Sequence, residues 1–255
     1  MEWAIRRYAE SILEMTGEGA DTLAVAPRVP GVRHFALVCN NRRVELGYQG
    51  NVDWQDMSDF LVHFVGGREA TPDQRFDVLR KVVQDQELKP GIGGFGFAKG
   101  WASPQHTQRS ICMSEVPLTY LARLVSRHGS FGVGLAKTDV RSAGGQRVWY
   151  VDDSTEPMNV LDGLLAEVTD ARRWADPLWK LTRFIDRVTP DGDGRARYEF
   201  EWEREWRVPG GMHLSEVKFL FVPSIWHELA RTSLGAHRLI DPMWGSAQIA
   251  TALAS

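Results

Sequence analysis

An α+β fold is what the sequence predicts, on three observations. From about residue 110 onward, short runs rich in β-branched and aromatic residues recur between Gly or Pro boundaries: "SICMSEV" (110–116), "SFGVGL" (130–135), "RVWYV" (147–151), "YEFEWEREWRV" (198–208) and "VKFLFV" (217–222). That composition is the signature of strands. Helical spacing falls between them in blocks of unequal length, at 117–128, 158–188 with an interruption at Pro177, 224–233 and 246–254. Strands grouped without regular helical crossovers argue against a doubly wound parallel sheet.

The earlier half supplies the remaining elements. Residues 3–15 place Trp3, Tyr8, Ile12 and Met15 on roughly one side of an amphipathic helix. A loop rich in Gly and Pro follows, then a strand in "VRHFALVCNN" with "RRVELGYQG" as its pairing partner. "FLVHFV" (60–65) is a short apolar run between Asp59 and Gly66-Gly67. "TPDQRFDVLRKVVQDQ" (71–86) reads as a helix: Thr71 caps it, Pro72 sits in its first turn, and Phe76, Leu79 and Val83 share a stripe. Residues 91–96 match G-x-G-x-x-G, but the match follows a helix and runs into "WASPQH", so it reads as a mobile loop rather than a dinucleotide fingerprint. The expected organisation is an N-terminal helix and strand extension, 1–57, packed on a core domain, 58–255.

With 255 residues, of which 43% are hydrophobic, the chain is long enough to bury a sizeable core. A formal charge of -3 argues against bulk electrostatic capture by nucleic acid or anionic lipid. Cys39 and Cys112 lie far apart and suggest neither a disulfide framework nor a cysteine metal site. His213 and His227, with Glu216 and Glu228 nearby, lack metal-ligand spacing, so no metal is expected. No run of 18 apolar residues and no signal-peptide pattern is visible, and the expected location is a reducing cytoplasm without a membrane.

The most informative stretch is "EWEREWRVPGG" (201–211). In extended form, Tyr198, Phe200, Trp202, Trp206 and Val208 face one way, and Glu199, Glu201, Glu203, Glu205 and Arg207 face the other. The first set is a core face. The glutamates read either as a solvated sheet face or as carboxylates at a site where positive charge develops. A row of like charges disfavours ionisation, and a cation or donor relieves it.

The order "DFLVHFV", a helix, "RSICMSEVPLTYLARLVSRHGSFGVGLAK", "RVWYV" and "FEWEREWRVPGG…VKFLFVPS" resembles, over about residues 58–225, the AbiGi-type abortive-infection proteins of bacterial phage defence. More distantly it is similar to DarT-type ADP-ribosyltransferase toxins. The resemblance implies twisted, mainly antiparallel sheets around an NAD cleft, flanked by helices. It also implies cleavage of NAD+ with transfer of ADP-ribose to a macromolecular acceptor (DNA, RNA or protein), and a possible cognate antitoxin. By the family's landmarks, His63 would hydrogen-bond the adenosine-side ribose, Ser114 support the strand end, Tyr120 stack on nicotinamide and Glu205 act as the catalytic carboxylate. Glu203 would position the acceptor, and Arg109, Lys99 or Arg68 would pair with the pyrophosphate.

That chemistry suits these residue types. Breaking the nicotinamide–ribose bond leaves an oxocarbenium-like ribose, which a carboxylate at the 2'-hydroxyl stabilises more in the transition state than in the ground state. Plain readings stand beside it: His63 and Tyr120 as core residues, Ser114 as a sheet-edge hydrogen-bonding group. Two other functions also remain open, a catalytically inert antitoxin or sensor of the same fold, and a nucleic-acid-binding regulator using "ARRW" (171–174) and the arginines near it.

Overall fold

A computed structural model of the chain describes residues 58–91, 94–98, 105–153, 155–188 and 201–254, together with four short backbone strands between residues 27 and 44. Those four pair as antiparallel ribbons, β1 (Pro27–Val29) with β2 (Val32–Arg33) and β3 (Leu37–Cys39) with β4 (Arg42–Val44). The second ribbon is the pairing expected from "VRHFALVCNN" and "RRVELGYQG". The helix expected over 3–15 lies outside the described residues.

The architecture is mixed α+β around one mostly antiparallel sheet. After β5 (Phe60–Phe64) comes α1 (Pro72–Asp85), whose first turn closes as a capping box: the Thr71 hydroxyl accepts from the Gln74 amide, and the Gln74 side chain accepts from the Thr71 amide. Then follow β6 (Glu87–Leu88), β7 (Ser110–Ser114), α2 (Ala122–His128), β8 (Gly132–Ala136), α3 (Lys137–Ser142), β9 (Gln146–Arg147), β10 (Trp149–Asp152) and α4 (Glu156–Asp170). The chain continues through α5 (Leu178–Leu181), β11 (Ile185–Val188), β12 (Glu205–Pro209), β13 (Met212–His213), β14 (Phe219–Phe221), α6 (His227–Leu234), β15 (Leu239–Ile240) and α7 (Ser246–Ala254).

Seven strands form the main sheet in the order β15-β14-β8-β5-β7-β12-β9, parallel only at β14–β15. Alternation along these strands separates two cores. On one face Leu61, Met113, Val133, Trp206 and Leu220 pack with Phe76 and Leu79 of α1 and with Ala230 and Leu234 of α6. On the other, Val62, Phe219, Phe221 and Ile240 pack with Leu121, Leu124 and Ile249. A third core joins the parallel pair β10–β11 to α4 through Val151, Ile185, Leu161 and Leu165, and it includes Trp179. Each of the larger side chains in these cores contributes about 1.5–3 kcal/mol relative to exposure.

Two stretches depart from the sequence reading. The helix expected over 158–188 ends at Asp170, and the chain finishes this region as β11, parallel to β10. β11 takes its backbone partner, β10, from the other side of α4 in sequence, which local periodicity does not register. The strand expected over 198–208 begins only at Glu205. Glu201–Glu203 form a turn of 3₁₀ helix, and Arg204 has φ 44°, so the alternation breaks one residue before the strand starts. Tyr198, Glu199 and Phe200 lie outside the described residues. Trp202 is consequently exposed, whereas Trp206 and Val208 face the core as expected.

Candidate functional site

The strands carrying His63, Ser114 and Glu205 are consecutive neighbours in the sheet, β5, β7 and β12. Ser114 lies directly across from Glu205, and Cys112 across from Arg207, which places these four side chains on one face of the sheet. By alternation His63 falls instead on the face of Leu61 and Val65. Strands β5 and β7 pair at Val62↔Ser114, and beyond that bridge the His63 Nδ1–H donates to the Cys112 carbonyl at 2.8 Å. That bond fixes the tautomer and leaves the Nε2 lone pair free of the proton. Burial holds the imidazole below its ordinary pKa of 6.5 despite this backbone bond, so His63 is neutral near neutral pH.

Glu205 is the centre of a polar cluster. Its Oε2 accepts a hydrogen bond of 2.5 Å from the Tyr150 hydroxyl, and its Oε1 accepts one of 2.9 Å from Arg207 Nε. Burial works against ionisation of Glu205, but the Arg207 charge and the bonds from Cys112, Tyr150 and Arg207 outweigh it, and the carboxyl stays below its ordinary value. The expectation of a row of repelling glutamates therefore fails at this residue, because its nearest charge is a guanidinium. Arg207 in turn pairs with Asp186 of β11 and donates to the Arg183 carbonyl at 2.7 Å. Burial opposes its charge, yet Glu205 and Asp186 hold it above its ordinary pKa. Tyr150 and Cys112 are both pushed up, first by burial and then by the Glu205 charge, so each stays protonated and Cys112 is a thiol rather than a thiolate.

The Gly-rich segment closes one side of this cluster. Phe95 stacks against Arg207 with 5.4 Å from guanidinium to ring centre, while Phe97 N donates to the Ile185 carbonyl at 2.7 Å. Gly96, at φ 91°, passes so close that a Cβ would stand 2.4 Å from the Thr182 carbonyl oxygen. Residues 94–98 are thus docked against the strand-bearing core rather than hanging free.

The other expected site residues lie elsewhere. Glu203 has other partners than Glu205: its side chain is 5% exposed, its Oε1 pairs with Arg127 at 3.0 Å and its Oε2 shares a 3.0 Å hydrogen bond with His128 Nε2, both at the end of α2. It ties the turn before β12 to that helix. Tyr120, on the 3₁₀ turn just beyond the Ser114 end of β7, is exposed and carries Arg123 4.6 Å above its ring. Arg109 precedes the opposite end of β7, where its carbonyl accepts from Gly210 N, about 16 Å along the strand from Ser114 at roughly 3.3 Å per residue. Arg68 is exposed on the loop before α1, and Lys99 lies outside the described residues. In "ARRW", Arg173 bonds Glu167 at 2.8 Å.

Tyr150, Arg207, Cys112 and Asp186 are the members that sequence reasoning passed over. Arg207 had a signal, its two-residue offset from Glu205 on the same strand face. Asp186 had none, since its segment carries helical spacing. Among the described residues no group of three or more His, Cys, Asp or Glu side chains is arranged to hold a metal ion, and no helix is long and apolar enough to cross a membrane. Compared with known proteins, the chain matches no family model, no curated protein and no solved structure.

Proposed function

We propose that this chain is an NAD+-dependent ADP-ribosyltransferase of bacterial anti-phage defence, acting in the cytoplasm, with Glu205 as its catalytic carboxylate. The observation that carries the reading is the state of Glu205: a carboxylate kept ionised although largely buried, held at the start of β12 by Tyr150 and Arg207 and facing Ser114. In the reaction, the bond between ribose C1' and the nicotinamide nitrogen breaks and the electron pair leaves with neutral nicotinamide. An acceptor oxygen or nitrogen then bonds to C1' and gives up its proton. A fixed carboxylate beside the ribose 2'-hydroxyl stabilises the positive charge that develops between those events, and needs no reorganisation to do so. Ser114 would support that carboxylate and Tyr120 offer an exposed ring for nicotinamide, whereas His63, on the opposite face of the sheet, and Arg109, at the far end of β7, lie outside this grouping.

A second reading has its own support. Both oxygens of Glu205 already have protein partners, as suits an inert member of the same fold acting as sensor or antitoxin. The two separate when the protein is incubated with NAD+ labelled in the adenylate portion, together with DNA, RNA or cell lysate. The transferase transfers label to one acceptor class, and Glu205→Gln abolishes transfer; a folded wild type that neither cleaves NAD+ nor labels any acceptor leaves the inert reading standing.

A further inference from the structure

Glu115, the residue after β7, has a side chain with no exposure at all, yet it accepts four hydrogen bonds: from Lys137 Nζ at 2.5 Å, Arg147 Nε at 3.1 Å and Nη2 at 2.8 Å, and Trp206 Nε1 at 2.8 Å. Its backbone N–H donates to the Glu203 and Arg204 carbonyls at 3.1 and 3.3 Å. The same residue thus bonds the chain just before Glu205 through its backbone and just after Glu205 through the Trp206 indole. The first of those attachments includes the left-handed Arg204, a conformation that ordinary residues keep only where surroundings impose it. Glu115 is on the Trp206 face of the sheet, so it cannot share a ligand with Glu205 on the other.

We propose that Glu115 is a positioning residue, gripping the chain on both sides of Glu205 from the far face of the sheet and so aiming the Glu205 carboxylate. Its functional consequence rests on the transferase reading above; its structural consequence does not. Burial disfavours the Glu115 charge, but the bonds from Lys137, Arg147 and Trp206 keep the carboxyl below its ordinary value, so the grip is ionic at neutral pH.

The test uses Cys112 of the full chain as a reporter. Glu205 and Arg207 face its thiol from β12, Tyr150 and Asp186 bond to those two, and the His63 ring bonds its carbonyl. Burial raises the thiol pKa most, Glu205 raises it further and Arg207 lowers it, so displacing Glu205 removes one raising cause and moves thiolate formation to lower pH. Iodoacetamide alkylation at Cys112 is followed by peptide mass spectrometry against pH in wild type, Glu205→Gln, Glu115→Gln and Trp206→Phe. Because burial is the largest cause raising this thiol pKa, general loosening also lowers the midpoint, so each shift is compared with that of a destabilised control, Leu234→Ala in α6, and counts only where it exceeds the control's. The expected result is a downward shift in Glu115→Gln and Trp206→Phe toward that of Glu205→Gln, with alkylation several-fold faster near neutral pH. A folded Glu115→Gln, or a folded Trp206→Phe should Glu115→Gln fail to fold, that keeps the wild-type midpoint or shifts it no further than the control overturns the proposal. Nicotinamide release is measured alongside: a loss of kcat with little change in KM extends the grip to catalysis. A wild type that releases none sinks the transferase reading and leaves the midpoint test intact.

Discussion

At the scale of single residues, Glu203 and Glu205 stand two positions apart in one acidic run and meet opposite surroundings. Glu203 is closed in by Arg127 and His128, so Glu203→Gln removes the charge from two bonds and is expected to cost about 1–3 kcal/mol in urea or thermal unfolding. Acidification is expected to destabilise the protein in two stages. The folded pKa of His63 lies below 6.5, so the unfolded chain takes up that proton first, and stability present above pH 6.5 is lost as pH falls through the folded value; His237, also lowered by burial, adds to this stage. Glu205 and Glu115 have folded values below 4.5, so the stability they supply is present above 4.5 and is lost as pH falls through those lower values. His63→Gln, which still offers a donor to the Cys112 carbonyl, should shrink the upper stage in a stability-versus-pH series and leave the lower one in place.

At the scale of elements, close backbone approach sets the tightest limits. Gly134 of β8 lies under the Phe219 ring of β14, and a Cβ there would stand 2.1 Å from the ring. Gly134→Ala is therefore expected to lower stability by about 1–3 kcal/mol, read from the urea midpoint at constant slope. What was legible in the sequence follows the same logic of local against distant causes. The Thr71 cap and the Phe76, Leu79 stripe act within one helix, and α1 matches its expected span closely. The strand at 110–114 and the core side of Trp206 and Val208 follow from local alternation. The 3₁₀ turn before Glu205 was hidden because Glu115 and α2, both remote in sequence, hold Glu203 and Arg204 out of the strand. The same distance hid Tyr150 and Asp186, which reach Glu205 and Arg207 from the parallel pair β10–β11.

At the scale of the whole molecule, the main sheet brings the β5, β7 and β12 segments side by side, and the smaller β10–β11 unit covers the face that carries Glu205. The adjacency of the His63, Ser114 and Glu205 strands was the part of the candidate site that sequence order conveyed; the face each side chain takes depended on registers that only the folded sheet sets. Arg207 anchors both units through Glu205 and Asp186, so a change at Glu205 is felt in stability as well as in any chemistry. Activity must therefore be compared at a temperature where both proteins are folded. The most direct measurement is steady-state release of nicotinamide from NAD+ by wild type and Glu205→Gln under that condition. The account predicts release by the wild type and a fall in kcat of about 100-fold or more in the variant, with KM little changed. Equal kcat in the two proteins, or no release by the folded wild type, would contradict it.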